Sequence, residues 1–258
     1  LWVTVACPAA TKPGTYRGTI TLRPEGLPQS QVALTVQVRN FSLPLRPRLK
    51  NAFAFFEGEY RNYFKRPMAD AERRAAEDFL LAHRLNPMNL YTPWAWPGLK
   101  DLQRMRERGL NAVCLGYCPD TPDKFGDLVY YRYLREQRRQ LAGANMAADG
   151  WLYGYDEPHC RPDFEQFKGI MREVYDMVEA VAPGMPRGST TAIVPDLVGA
   201  VNLWIPQTMQ VVRHDTLARQ QAGDTVWTYV ACTPPHPFAN YFIEYAALEQ
   251  RLLGWQTW

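Results

Sequence analysis

The chain has 258 residues, 47% of them hydrophobic, enough to bury a full-sized core in one large domain or in one large and one small, which excludes a tail or linker. Its 29 basic and 26 acidic residues leave a formal charge of +3 spread without a phosphate-tracking basic block, so nucleic acid is not the expected partner. The five cysteines are odd in number and widely spaced, suggesting neither a disulfide framework nor a zinc set, and no apolar run reaches the roughly 18 residues of a membrane span.

Residues 1–6, 16–22 and 32–38 alternate apolar and polar side chains, with Pro13-Gly14 and the segment from Pro24 to Gln29 as turns, which predicts three antiparallel strands. Residues 1–45 are read as the C-terminal part of a β-sandwich. The chain begins inside a strand pattern without an initiator Met and looks like a fragment, so a missing signal peptide says nothing about export. Leu43-Pro44-Leu45-Arg46-Pro47-Arg48 is a proline-interrupted connector that continues neither helix nor ladder, and the domain boundary is placed there.

From residue 46 onward strands alternate with helical stretches, the signature of a parallel α/β architecture. Strands are expected at 50–56, 88–91, 112–117, 151–156, 188–193, 201–206 and 225–230, with amphipathic helices at 69–84, 130–141 and 164–181 and a closing helix at 248–255. Seven strands in this order predict a (β/α)₈ barrel over 46–258, truncated at its last strand.

Barrel enzymes carry their chemistry at the C-terminal ends of the strands. Only the fourth strand, Tyr153-Gly154-Tyr155-Asp156-Glu157-Pro158, ends in two adjacent acids walled by aromatics. Neighbours on a strand face opposite ways, so both carboxylates enter one pocket only where the strand gives out, and Pro158 ends it there. Two acids held close repel as anions, which keeps a proton available on one of them for a glycosidic oxygen. The bland alternative is that Asp156 caps the next helix and Glu157 is solvated. Retaining glycosidases of the common type have a second carboxylate about 5 Å away on another strand. The seventh strand ends Trp227-Thr228-Tyr229-Val230 without an acid, which leaves the substrate's own 2-acetamido oxygen as a candidate nucleophile.

Trp94, Trp96 and Trp204 are candidates for a sugar platform, one of the three being expected in the core, with Tyr155 and Trp227 as further aromatic walls. Glu57 and Glu59, read as a Gly-containing loop, are candidates for binding hydroxyls, and His159 for tuning Glu157. No Gly-rich phosphate loop, Ser-His-Asp order or His-Glu-x-x-His helix is present.

The strand Trp151-Leu152-Tyr153-Gly154-Tyr155-Asp156-Glu157-Pro158 resembles the Asp-Glu motif of glycoside hydrolase family 123 and the related domain-of-unknown-function family 4091. Leu1-Trp2-Val3 with Pro13-Gly14-Thr15-Tyr16-Arg17-Gly18 resembles the end of that family's β-sandwich, and Asn240-Tyr241-Phe242-Ile243-Glu244 with Arg251-Leu252-Leu253-Gly254-Trp255 its last helix. The resemblance implies retaining, substrate-assisted cleavage of β-linked N-acetylgalactosamine in a glycan or glycoconjugate, without cofactor or metal. It makes Asp156 the group that polarises the acetamido, Glu157 the acid/base, and Tyr229 a contact to the acetamido. A secreted or periplasmic site follows from the substrate class alone. A non-catalytic carbohydrate-binding barrel, and a barrel hydrolase acting on another sugar, stay open as alternatives.

Overall fold

The computed structural model describes residues 3–94, 96–120 and 127–256 and divides into two units, Leu1–Leu45 and Arg46–Trp258. In the first unit, β1 (Gly14–Leu22) and β2 (Ser30–Val38) form an antiparallel hairpin in the register Gly14↔Val38 to Leu22↔Ser30. Paired residues share a face, so Tyr16, Ile20, Val32, Leu34 and Val36 line one side while Arg17, Thr19, Thr21 and Gln31 line the other. Of the strand expected at 1–6, Leu1 and Trp2 lie outside the described residues, and residues 3–6 form no strand. Alternation makes a segment fit for a sheet, but a ladder also needs a neighbour to bond to.

In the second unit, β3 (Phe53–Ala54) and β4 (Pro87–Met88) form a short parallel pair. A five-stranded parallel sheet follows in chain order: β5 (Val113–Tyr117), β6 (Gly150–Tyr155), β7 (Arg187–Ser189), β8 (Leu203–Trp204) and β9 (Thr225–Val226). The helices are α1 (Glu57–Phe64), α2 (Asp70–Ala82), α3 (Leu99–Arg106), α4 (Asp127–Gly143), α5 (Phe164–Val181), α6 (Arg213–Gln221) and α7 (Ala247–Gln256). None of the helices described is long and apolar enough to cross a membrane.

Each β6 residue is buried, as expected of a central strand covered on both faces. Helix α5 presents Phe167, Met171, Val174 and Val178 to the core at helical spacing, and α4 presents Tyr130, Leu134 and Leu141. Burying such side chains stabilises the fold by about 1.5–3 kcal/mol apiece.

The described residues do not close a barrel: no ladder joins β4 to β5. Three asparagines lace the starts of β3, β4 and β5 instead. Asn86 Nδ2 donates to Asn111 Oδ1 at 2.7 Å and to the Asn51 carbonyl at 2.7 Å, and Asn111 Nδ2 donates to the carbonyls of Pro47 at 2.7 Å and Leu49 at 2.9 Å. Beyond the other end, Tyr117 N donates to the Thr92 carbonyl at 3.0 Å, close to Gly116, where a Cβ would lie 2.3 Å from the Pro93 oxygen. The sheet itself is strongly curved. A flat sheet would hold β9 about 14 Å from β6, yet the Trp151 ring on β6 meets that of Trp227, just past β9, at 5.1 Å.

Helix α2 starts after Ala69, which has no side-chain acceptor, and Glu72 covers the gap. Its carboxylate accepts from Ala69 N at 2.9 Å, Tyr60 Oη at 2.8 Å and both Arg66 guanidinium nitrogens at 2.7 and 2.6 Å. Bonding to Arg66, then to the Ala69 amide, holds the Glu72 carboxyl well below its ordinary pKa of 4.5. A depressed folded pKa stabilises above the unfolded value and loses that effect as pH falls through the folded one. Amide exchange in the first turn of α2 is therefore expected to become faster relative to α5 as the medium is acidified below that value. Glu72→Gln should abolish the pH dependence, and an unchanged profile in that variant would assign it elsewhere.

Candidate active site

The acid pair follows β6, and two local distortions aim it. Pairing of β6 with β7 slips between Tyr153 and Tyr155, and the slip turns the Tyr155 ring into the helical layer. There it packs on Phe167 and Tyr175 at 5.1 and 5.6 Å, and its hydroxyl donates to the Pro119 carbonyl at 2.9 Å. Glu157 then takes φ 42° and ψ 50°, left-handed and uncommon for a residue with a Cβ. Pro158 disfavours the right-handed helical region for the residue before it, but the left-handed alternative costs about 1–3 kcal/mol and persists only where its surroundings hold it. Here Glu157 N donates to Thr190 Oγ1 at 2.7 Å, and the Glu157 carbonyl accepts from Cys160 N at 2.9 Å.

The result breaks strand alternation: each carboxylate takes its own phenol, and the charges of both bear on Tyr91 and Tyr229. Asp156 is exposed and Glu157 half-buried. Asp156 Oδ1 accepts from Tyr153 Oη at 2.6 Å and from Thr190 Oγ1 at 3.0 Å, while the Asp156 amide donates to Tyr117 Oη at 3.0 Å. Tyr229 Oη donates a close hydrogen bond to Glu157 Oε1. Tyr229 gets there because hydrogen bonding between the β8 and β9 segments continues past both strands: Tyr229 N donates to the Pro206 carbonyl at 3.2 Å, and Thr208 N to the Tyr229 carbonyl at 3.2 Å.

Burial, reinforced by neighbouring carboxylate, pushes the Tyr153 and Tyr229 hydroxyls far above the ordinary phenol value. Burial likewise takes Tyr117 up to about 12. Tyr91 is raised by burial and then by Asp156 and Glu157 together. At neutral pH all four are neutral phenols, able to donate to carboxylates or sugar oxygens.

The remaining residues singled out from sequence separate into three groups. Trp204 is fully buried, with Nε1 donating to Asp224 at 2.9 Å, and Tyr155 is 2% exposed. Both are core, which corrects their reading as ligand walls: the sequence shows an aromatic at a strand end, not which layer it faces. Trp227 is half-buried on Trp151, and Trp96 is half-buried against the core with its amide donating to Tyr133 Oη at 3.2 Å. Trp94 is 44% exposed and sits edge-on to Tyr133 at 4.8 Å.

Trp94 and Glu57 line one cavity of about 320 Å³ beyond the ends of β3 and β4, together with Phe56, Arg73 and Asn89. Glu57 belongs to α1, not to a loop, and lies 3.6 Å from Arg73. Asp156 and Glu157 are not among the walls of that cavity. His159 turns to Gln210, nitrogen to nitrogen at 3.3 Å. Sequence reasoning passed over Thr190, because Ser189-Thr190-Thr191 lay inside the strand expected at 188–193, whereas β7 stops at Ser189 and puts the hydroxyls where barrel chemistry is sought.

A parallel α/β sheet with paired acids after a central strand, set among phenols, is an arrangement suited to the class of glycoside hydrolases. Residues 85–258 match the family model described as glycoside hydrolase 123, catalytic domain. The chain belongs to glycoside hydrolase family 123. Its fold is similar to that of a family 123 glycoside hydrolase from Clostridium perfringens, solved to study the details of glycolipid glycan hydrolysis, with a TM-score of 0.51 and 12% identity. The match covers 90% of this chain and 52% of that one, so the chain spans about half the length of that relative. No curated protein matches the sequence.

Proposed function

We propose that this chain carries the catalytic centre of a retaining glycosidase acting on β-linked N-acetylgalactosaminides, with the substrate's acetamido oxygen as nucleophile. The observation that carries the reading is the left-handed Glu157, which sets two adjacent carboxylates among the same phenols, with Tyr229 rather than an acid reaching Glu157 from the neighbouring segment. In the first step the acetamido oxygen bonds to C1 as the glycosidic C1–O bond breaks, and Glu157 gives its proton to the departing oxygen, so the aglycone leaves as an alcohol. Asp156 accepts a hydrogen bond from the acetamido N–H and stabilises the positive charge of the resulting oxazolinium ion. In the second step Glu157 takes a proton from water, which opens the ring and restores the starting configuration.

Tyr229 is placed to hand its hydroxyl from Glu157 to the acetamido group. Trp94 and Glu57 are the groups offered to the sugar's flat face and hydroxyls, with Trp227 and Trp96 as packing behind them. We read the curved sheet as an arc of a (β/α)₈ barrel over 46–258, and residues 1–45 as the C-terminal part of a β-sandwich.

The test is turnover of an aryl β-N-acetylgalactosaminide against the matching glucosaminide and galactoside. The galactosaminide should be hydrolysed, the glucosaminide more slowly, and the galactoside, which lacks the acetamido group, not at all. A thiazoline mimic of the cyclised intermediate should bind at least 10²-fold more tightly than the product sugar, about the lower limit for transition-state-like ligands. Equal hydrolysis of the galactoside, or an active enzyme indifferent to the thiazoline, would exclude acetamido participation.

A further inference from the structure

We propose that Thr190 is the positioning residue that makes one working unit of Asp156 and Glu157, an assignment that rests on the function proposed above. Thr190 follows β7, is 5% exposed, and is anchored by its own amide to the Tyr155 carbonyl at 3.1 Å. Its single hydroxyl meets both acid residues. It donates to Asp156 Oδ1 at 3.0 Å and accepts the Glu157 amide at 2.7 Å. One proton and two lone pairs satisfy both bonds at once, since a hydroxyl donates once and accepts twice.

The two contacts do different things. The bond to the Glu157 amide holds a peptide whose φ of 42° would otherwise relax. The bond to Asp156 Oδ1, shared with Tyr153 Oη at 2.6 Å, fixes the carboxylate's rotation. That leaves Oδ2 to accept the acetamido N–H. Tyr153 touches only Asp156 of the two acids and Tyr229 only Glu157, so the coupling runs through Thr190. A β-branched residue suits the post, because its χ1 is restricted and the hydroxyl keeps its direction without the entropy cost of a long side chain.

The experiment uses Thr190→Val, which keeps the shape and deletes the hydroxyl, and Thr190→Ser, which keeps the hydroxyl. Thr190→Val is expected to lower kcat about 100-fold, the penalty of misplacing a reacting group by about 1 Å, with KM changed less than about threefold. Thr190→Ser should recover to within a few-fold of the parent protein, a rescue that loss of packing alone would not produce. The Val penalty should persist on activated aryl glycosides, where it reports the Asp156 contact, and be larger on poor leaving groups, where the displaced Glu157 adds to it. On activated aryl glycosides the same substitution in an Asp156→Asn background should cost less than about twofold, since there the two residues act as one unit.

Should Thr190→Val fail to fold, Thr190→Ala, which leaves room for a water between the two acids, is measured in its place and is expected to fall between Val and Ser. A Thr190→Val activity within threefold of the parent, or a penalty undiminished beside Asp156→Asn, would overturn the assignment. Were Asp156→Asn itself nearly as active as the parent, the functional reading would fail first, so the two failures are told apart.

Discussion

Glu157→Gln is expected to lower kcat by roughly 10²–10⁴-fold on glycosides with poor leaving groups, the range that a positioned general acid supplies. The loss should be far smaller on activated aryl glycosides, whose leaving group departs with little help from a proton. Asp156→Asn should lose roughly 10²–10³-fold on both substrates, as expected when a group aimed at developing charge is removed. Both replacements keep an oxygen where the hydrogen bonds are made: Gln still accepts from Tyr229, and Asn still accepts from Tyr153 and Thr190. Each variant thus tests chemistry with the site's scaffold in place. Michaelis parameters over a series of aryl leaving groups, with a thermal melt for each protein, make the comparison. The same leaving-group dependence in both variants would mean that the roles are assigned the wrong way round.

Gly154→Ala is expected to be among the most destabilising single-methyl additions in the chain. A Cβ at Gly154 would lie 1.7 Å from the Tyr175 hydroxyl oxygen and 2.5 Å from its ring. Tyr175 is fully buried on α5, and its hydroxyl donates to the Gly188 carbonyl on β7 at 2.8 Å, so the ring has nowhere to withdraw without losing that bond. Overpacking of this kind costs about 1–3 kcal/mol, and a stranded buried polar group adds about 1–3 kcal/mol. Denaturant midpoints with an unchanged slope would report it. Tyr175→Phe removes the atom that clashes most, so the double variant should be more stable than the sum of the single changes predicts. Strict additivity would show that β6 shifts instead of the ring.

Gly154 also shows how much of the site was readable in advance. Hydrophobic patterning located the long elements well. Helix α5 occupies 164–181 as expected, and β6 covers Gly150–Tyr155 against an expected 151–156, because eighteen residues of helical period or six of continuous burial leave little ambiguity. The eight- and nine-residue helices α1, α3 and α6 were not expected. Two turns carry too few repeats of the pattern, and Gly58 made the start of α1 resemble a loop. Strands expected at 50–56, 201–206 and 225–230 shrink to two residues each, since ladder length is decided by neighbours that local sequence does not name.

By itself the sequence determined that an acid pair stands where a buried parallel strand gives out before a proline, and it carried the family's motif there. Only the tertiary structure decided how the pair is held, adding Thr190 to the Tyr229 that the family resemblance already named. Thr190 and Tyr229 reach it from 34 and 72 residues along the chain, across a sheet whose curvature is a property of all its strands. The same structure sent Trp204 and Tyr155 into the core and left Trp94 at a cavity, because the layer a strand-end aromatic faces depends on bulges and packing partners. The left-handed backbone of Glu157 belongs to this second kind of information. Local preference opposes it for a residue with a Cβ, and contacts made across the fold, the Thr190 hydroxyl first among them, hold it in place.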